Sequence, residues 1–100
     1  MIRGTTPTHQ FTLSVDTKLL RKVKIVYAQD DEVIVEKDTD DCVLDGNTVK
    51  VKLTQEDTFK FDHKKLVQIQ VRAVTNDNDA VATTVMCTSV EKCLDDEVME

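Results

Sequence analysis

Leu66-Val-Gln-Ile-Gln-Val-Arg-Ala-Val74 is the stretch that decides the fold. In an extended chain Val67, Ile69, Val71 and Ala73 fall on one side and Gln68, Gln70 and Arg72 on the other, the two-residue period of a strand with one dry and one wet face. Upstream, Thr48 to Leu53 repeats the pattern, with Val49, Val51 and Leu53 inward and Lys50 and Lys52 outward. It is entered from Cys42, Val43 and Leu44 through Asp45-Gly46-Asn47, a hairpin signal in which Gly supplies the positive φ. Between the two stretches, Thr54 to Asp57 fits the Ser/Thr-x-x-acid cap, which predicts one helical turn. Phe59 and Phe61 beyond it are expected to plug one end of the core.

Nearer the N-terminus, Thr8 to Val15 alternates, with Phe11, Leu13 and Val15 on one face and His9, Thr12 and Ser14 assigned to the other. Asp16 to Arg21 reads as a short or helical turn. Val23, Ile25 and Tyr27 form a second strand, Asp30 and Asp31 a tight connection, and Val33 and Val35 the return of a hairpin. Asp38 to Asp41 is a polar break. Downstream, Asn76 to Asp79 is a turn, and Ala80 to Val90 a long final strand whose register is open. Either Val81, Val85 and Cys87 face the core or Ala82, Met86 and Val90 do; the first is preferred, and a bulge would let both contribute. Seven short β segments without an amphipathic helix predict an antiparallel immunoglobulin-like β-sandwich over residues 8–90. Residues 1–7 form a flexible N-terminal arm and 91–100 an acidic C-terminal tail, neither with an evident reason to pack. Such an arm either frays or becomes ordered on a neighbouring subunit.

With 100 residues, 40% of them hydrophobic and 32% charged, the chain supports one core. Its net charge of -6 argues against nucleic acid, whose phosphates need a basic surface. The ends have opposite sign, which would let one copy's tail meet another's N-terminal region. No apolar run approaches a membrane span and no secretory signal is evident, so the expected compartment of synthesis is a cytoplasm. Cys42, Cys87 and Cys93 are an odd number without CxxC spacing and read as reduced thiols. Cys87 and Cys42 are expected in the core, and Cys93 is the candidate exposed thiol.

The sequence holds little chemistry. His9, His63 and the cysteines lack the paired spacing of a zinc site, and the Asp38–Gly46 region lacks the closing glutamate of a calcium loop. Gly4 and Gly46 are the only glycines, too few for a nucleophile elbow or a phosphate-cradling loop. We therefore expect no enzyme, catalytic residue, metal, cofactor or small-molecule substrate. Surfaces remain: the outward rows Lys50 and Lys52, and Gln68, Gln70 and Arg72, with Arg3, Thr5 and Pro7 of the arm, are candidate protein-binding residues. Unpaired strand edges are the other option.

Met1-Ile-Arg-Gly-Thr-Thr-Pro-Thr8, Leu53-Thr-Gln-Glu-Asp-Thr-Phe-Lys-Phe61, Val67-Gln-Ile-Gln-Val-Arg72 and Cys93-Leu-Asp-Asp-Glu-Val98 together resemble a family of short phage and prophage proteins of Gram-positive, often gut-dwelling, bacteria. The resemblance spans nearly the whole chain. It implies a structural or accessory role in a tail, baseplate or capsid, with other phage proteins or further copies of itself as partners, and a location in the bacterial cytoplasm during synthesis and in the virion if the chain is a phage component. No residue roles come with it. The alternative is a non-enzymatic binding module acting on a soluble host protein.

Overall fold

The computed structural model describes Met1–Glu100. Its strands are β1 (Thr8–Thr12), β2 (Leu20–Gln29), β3 (Glu32–Asp38), β4 (Cys42–Asp45), β5 (Thr48–Lys52), β6 (Val67–Thr75), β7 (Ala80–Ala82) and β8 (Met86–Thr88). One helix, α1 (Gln55–Phe59), and two 3-10 turns, Thr17–Leu19 and Thr39–Asp41, complete the elements. No helix is long and apolar enough to cross a membrane.

Two antiparallel sheets stack as a sandwich. The smaller runs β1-β5-β4, and the larger β3-β2-β6, with β7 and β8 both paired to the far edge of β6. This is the immunoglobulin-like sandwich predicted from the alternation. With β1-β5-β4 read as B-E-D and β3-β2-β6-β7 as C′-C-F-G, the strand order is the immunoglobulin one with strand A left out. Between the sheets lie Val23, Ile25, Tyr27, Val49, Val51, Leu53, Val67, Val71 and their neighbours, the inward residues of the predicted strands, with Phe61 added from beyond α1.

The turns follow their sequence signals. Gly46 takes φ +56° at the first central position of the β4–β5 hairpin, and Thr54 and Asp57 form the full capping box of α1. The β2–β3 turn places both Asp30 and Asp31 at positive φ, 50° and 63°. That is a costly conformation for two non-glycine residues. Side chains hold it: the Gln68 amide accepts from the Asp31 N–H at 2.8 Å and donates to its carboxylate at 3.0 Å, and Lys65 pairs with Asp30 at 2.9 Å. Gln29, buried at the end of β2, locks the α1–β6 connection by donating to the carbonyls of Asp62 and Lys65 and accepting from the Asp62 N–H.

Five placements differ from expectation. His9 has the parity of Phe11, not of Thr12, so its ring turns inward and lies edge-on to Phe11 with ring centroids 6.4 Å apart. A β-bulge where Tyr27 and Ala28 face Val35 and Val33 adds Ile34 to β3, and the resulting change of parity turns Val33 outward while Val35 stays buried. The final strand is interrupted: Thr83 turns its hydroxyl onto the Val71 N–H, and the break shifts parity by one. Val81, Met86 and Val90 therefore share the inner side, while Ala82 and Cys87 lie on the outer side and Val85 is exposed. The preferred register fails, and a break lets members of both sets contribute. For the same reason Cys87 is exposed, whereas Cys93 is half-buried. Of the two phenylalanines expected at the core's end, Phe61 is buried and Phe59 instead carries the N-terminal arm.

Candidate functional site

The arm and the tail are tied to the body. Met1 donates from its amino group to the Ser89 carbonyl, and Ile2 bridges Glu91 in parallel. The Arg3 guanidinium lies 5.5 Å from the Phe59 ring centre, donates to the Phe59 carbonyl at 2.9 Å and pairs with Asp96 at 3.0 Å. Gly4 takes φ +78°, and a Cβ there would run into the Phe59 ring. Its N–H donates to the Thr58 hydroxyl at 2.9 Å, which itself donates to the Thr5 carbonyl at 2.8 Å. The Pro7 carbonyl accepts from Leu53 N–H at the mouth of the β1–β5 ladder, and Gln55 holds Met99 by two amide bonds. The opposite charges of the two ends thus meet within one chain.

The candidate binding residues fall into three separate places. Arg3, Thr5 and Pro7 are engaged by the body of their own chain. Lys50 and Lys52 lie on the outer face of the small sheet beside Gln10, Thr8 and the exposed Val43. Gln68, Gln70 and Arg72 lie on the outer face of the large sheet, so a sandwich thickness separates them from the two lysines. Gln68 braces the β2–β3 turn, and Gln70 donates to the Thr83 carbonyl at 2.9 Å, fixing the break after β7. Arg72 borders a shallow depression of about 220 Å³ with Lys22 and Lys24, and Lys24 also reaches Glu36 at 3.3 Å.

Two polar pairs inside the sandwich escaped the sequence reading. His9 Nδ1 and the Tyr27 hydroxyl lie 2.7 Å apart. Burial, with the N-terminal charge, pulls the His9 pKa down; burial, then the Cys42 and Asp57 charges, pushes that of Tyr27 up. Both are held neutral, and either the phenol donates to Nδ1 or Nδ1–H donates to the hydroxyl. Lys37, inward on β3, meets Asp57 of α1 at 2.7 Å, with only 16% and 11% of their side chains exposed. Burial pushes the Asp57 carboxyl up, but hydrogen bonds from Lys37 and the Thr54 backbone and side chain, with the Lys37 charge, outweigh it and hold the pKa low. The clue to Lys37 was available, since it shares the parity of Val35, but nothing in the sequence identified its partner. No three His, Cys, Asp or Glu side chains converge as metal ligands.

No family model, curated protein or solved structure matches this chain. Geometry must therefore locate its surfaces. The large sheet is wider than the small one, and β7 and β8 extend the side beyond β6. Val81 faces inward opposite Ala73, and Met86 opposite Ile69, yet they are 41% and 36% exposed. Beside them Thr12, Leu13, Val15, Val71, Ala73 and Val81 line a cleft of about 150 Å³ between the sheets.

Proposed function

We propose that this chain is a non-enzymatic assembly protein, a structural or accessory component of a phage particle that works through contacts with other proteins. The observation that carries the reading is the open ledge, where Val81 and Met86 point toward the interior of the fold and yet remain 41% and 36% exposed. Inward-facing aliphatic side chains gain about 25 cal/mol for each Å² removed from water, so a partner that completes the layer is favoured. Exposed Val43 on one outer face and Val33 and Val85 on the other add apolar area to the surface. The family resemblance of the sequence supports the particle as the setting.

The test is composition and association. Purified particles of the phage that encodes the chain should contain it in stoichiometric amount, or the isolated chain should bind a particle protein in sedimentation experiments. A chain absent from the particles, monomeric at high concentration and captured only by a host-cell protein would overturn the proposal in favour of a host-directed binding module.

A further inference from the structure

The two sheets have four edges, formed by β1, β3, β4 and by β7 with β8, and three of them carry a device against pairing. On β3 the bulge at Ile34 breaks the register and Lys37 points a charge inward. On the small sheet, β4 has four residues. On the far edge of the large sheet, β7 and β8 have three each with a break between them. The remaining edge, β1, has neither bulge nor charge. Its bonds to β5 alternate: Leu53 N–H donates to the Pro7 carbonyl and Leu13 N–H to the Asn47 carbonyl, so the odd-numbered residues between them face β5. The N–H and C=O groups of Thr8, Gln10 and Thr12 consequently point away from β5, and no other group of the chain meets them. Pro7 does not blunt this edge, because its missing N–H belongs to the β5 side.

The free edge of β1 and the ledge of β7 and β8 border the same opening. They also lie in the two longest runs of sequence without Asp, Glu, Lys or Arg, Gly4–Val15 and Ala80–Val90, in a chain that is 32% charged. At one end the opening is already closed by an extended segment. Met1–Arg3 lie beside Ser89–Glu91 through the Ile2–Glu91 bridge, and Val90 is buried there. Toward Leu13, Val15 and Val81 it has no cover.

We propose that this opening is a strand-acceptor site that takes one extended, uncharged segment of another protein. The segment pairs with Thr8, Gln10 and Thr12 of β1 and lays alternate aliphatic side chains on Val81 and Met86. Backbone pairing selects a strand, and the apolar floor and uncharged rim select its side chains. A second sandwich set edge to edge against β1 would collide with the projecting β7 and β8, whereas a single strand lies above them. The inference rests on the assembly reading and assigns it a surface.

The test uses the full chain and the probe peptide acetyl-Thr-Val-Thr-Val-Thr-Val-Thr-amide, followed by backbone and methyl NMR. Saturable binding is expected, with amide exchange at Thr8, Gln10 and Thr12 slowed at least tenfold and the Val81 and Met86 methyl signals shifted. Methylating the peptide nitrogens that face β1 should weaken binding at least tenfold. So should Val81→Asp, at a position already open to water, and Gln10→Pro, which removes an outward N–H without touching the β5 ladder. Absence of binding at millimolar peptide, shifts confined to another face, or affinity unchanged in both folded variants would overturn the site. Dimerisation of the chain through Thr8–Thr12 would also overturn it, in favour of self-pairing. Presence in particles with the peptide site disproved would leave the assembly reading standing, so the two fail separately.

Discussion

Replacing Lys37 by Met removes a charge from inside the sandwich while keeping most of the volume of its stem, and its consequence follows from the Asp57 contact. At 2.7 Å, the Lys37–Asp57 attraction is about 6 kcal/mol in a surroundings of intermediate polarity, before both ions' loss of water is subtracted. Breaking a fully buried pair by removing one partner costs about 3–5 kcal/mol. Here both groups keep a little solvent, and Asp57 retains its Thr54 N–H bond at 2.9 Å, so about 2 kcal/mol is expected at pH 7. In thermal unfolding that is a fall in Tm of about 10 °C for a domain of this size. The pH dependence separates the pair from packing. Asp57 titrates below its ordinary 3.8, so the pair's stabilisation is complete above that value and is lost as pH falls through the depressed one. Urea unfolding of both proteins from pH 7 to pH 2.5 should show the difference shrinking toward the packing residue, and the Asp57 carboxyl should titrate higher in Lys37→Met. A loss under about 0.5 kcal/mol at pH 7, or one constant across that range, would refute the reasoning.

Thr58→Val removes the hydroxyl that bonds both Gly4 and Thr5; about 2 kcal/mol of stability should go with it, and the Gly4 amide should exchange at least tenfold faster. An equally protected Gly4 amide would show that the arm is held by Arg3 and Met1 alone. The double change Asp30→Asn, Asp31→Gly relieves two positive-φ positions and should stabilise by up to about 1 kcal/mol in urea unfolding, less the lost Asp31–Gln68 and Asp30–Lys65 contacts. Because His9 titrates below its ordinary 6.5, the unfolded chain takes up the proton first; stability should decline as pH falls from 6.5 toward the folded value, and His9→Phe should remove that slope.

The alternation of aliphatic residues determined the strands and the antiparallel sandwich, because burying one face of a strand is a local demand written at every second residue, and turn and capping residues determined the two hairpins and the helical turn at Thr54. Positions such as Val67 to Ala73 or Val49 to Leu53 have only one inward solution. Parity, however, survives only as far as the ladder is regular. The bulge at Ile34 and the break at Thr83 each displace it by one residue, and both are fixed by partners distant in sequence, Tyr27 and Ala28 in one case and Val71 in the other. That is why Val33, Val85 and Cys87 lie outside the core in which their spacing places them. Tertiary structure alone also decided what the polar residues do. Arg3 meets Asp96 across almost the whole sequence, and Lys37 finds Asp57 on another element. Lys50 and Gln68 end on opposite faces because their strands belong to different sheets. Which edge of a sheet stays unpaired depends on strand order, a property of the assembled layers rather than of any segment, so the opening beside β1 could be located only once the sheets were in place.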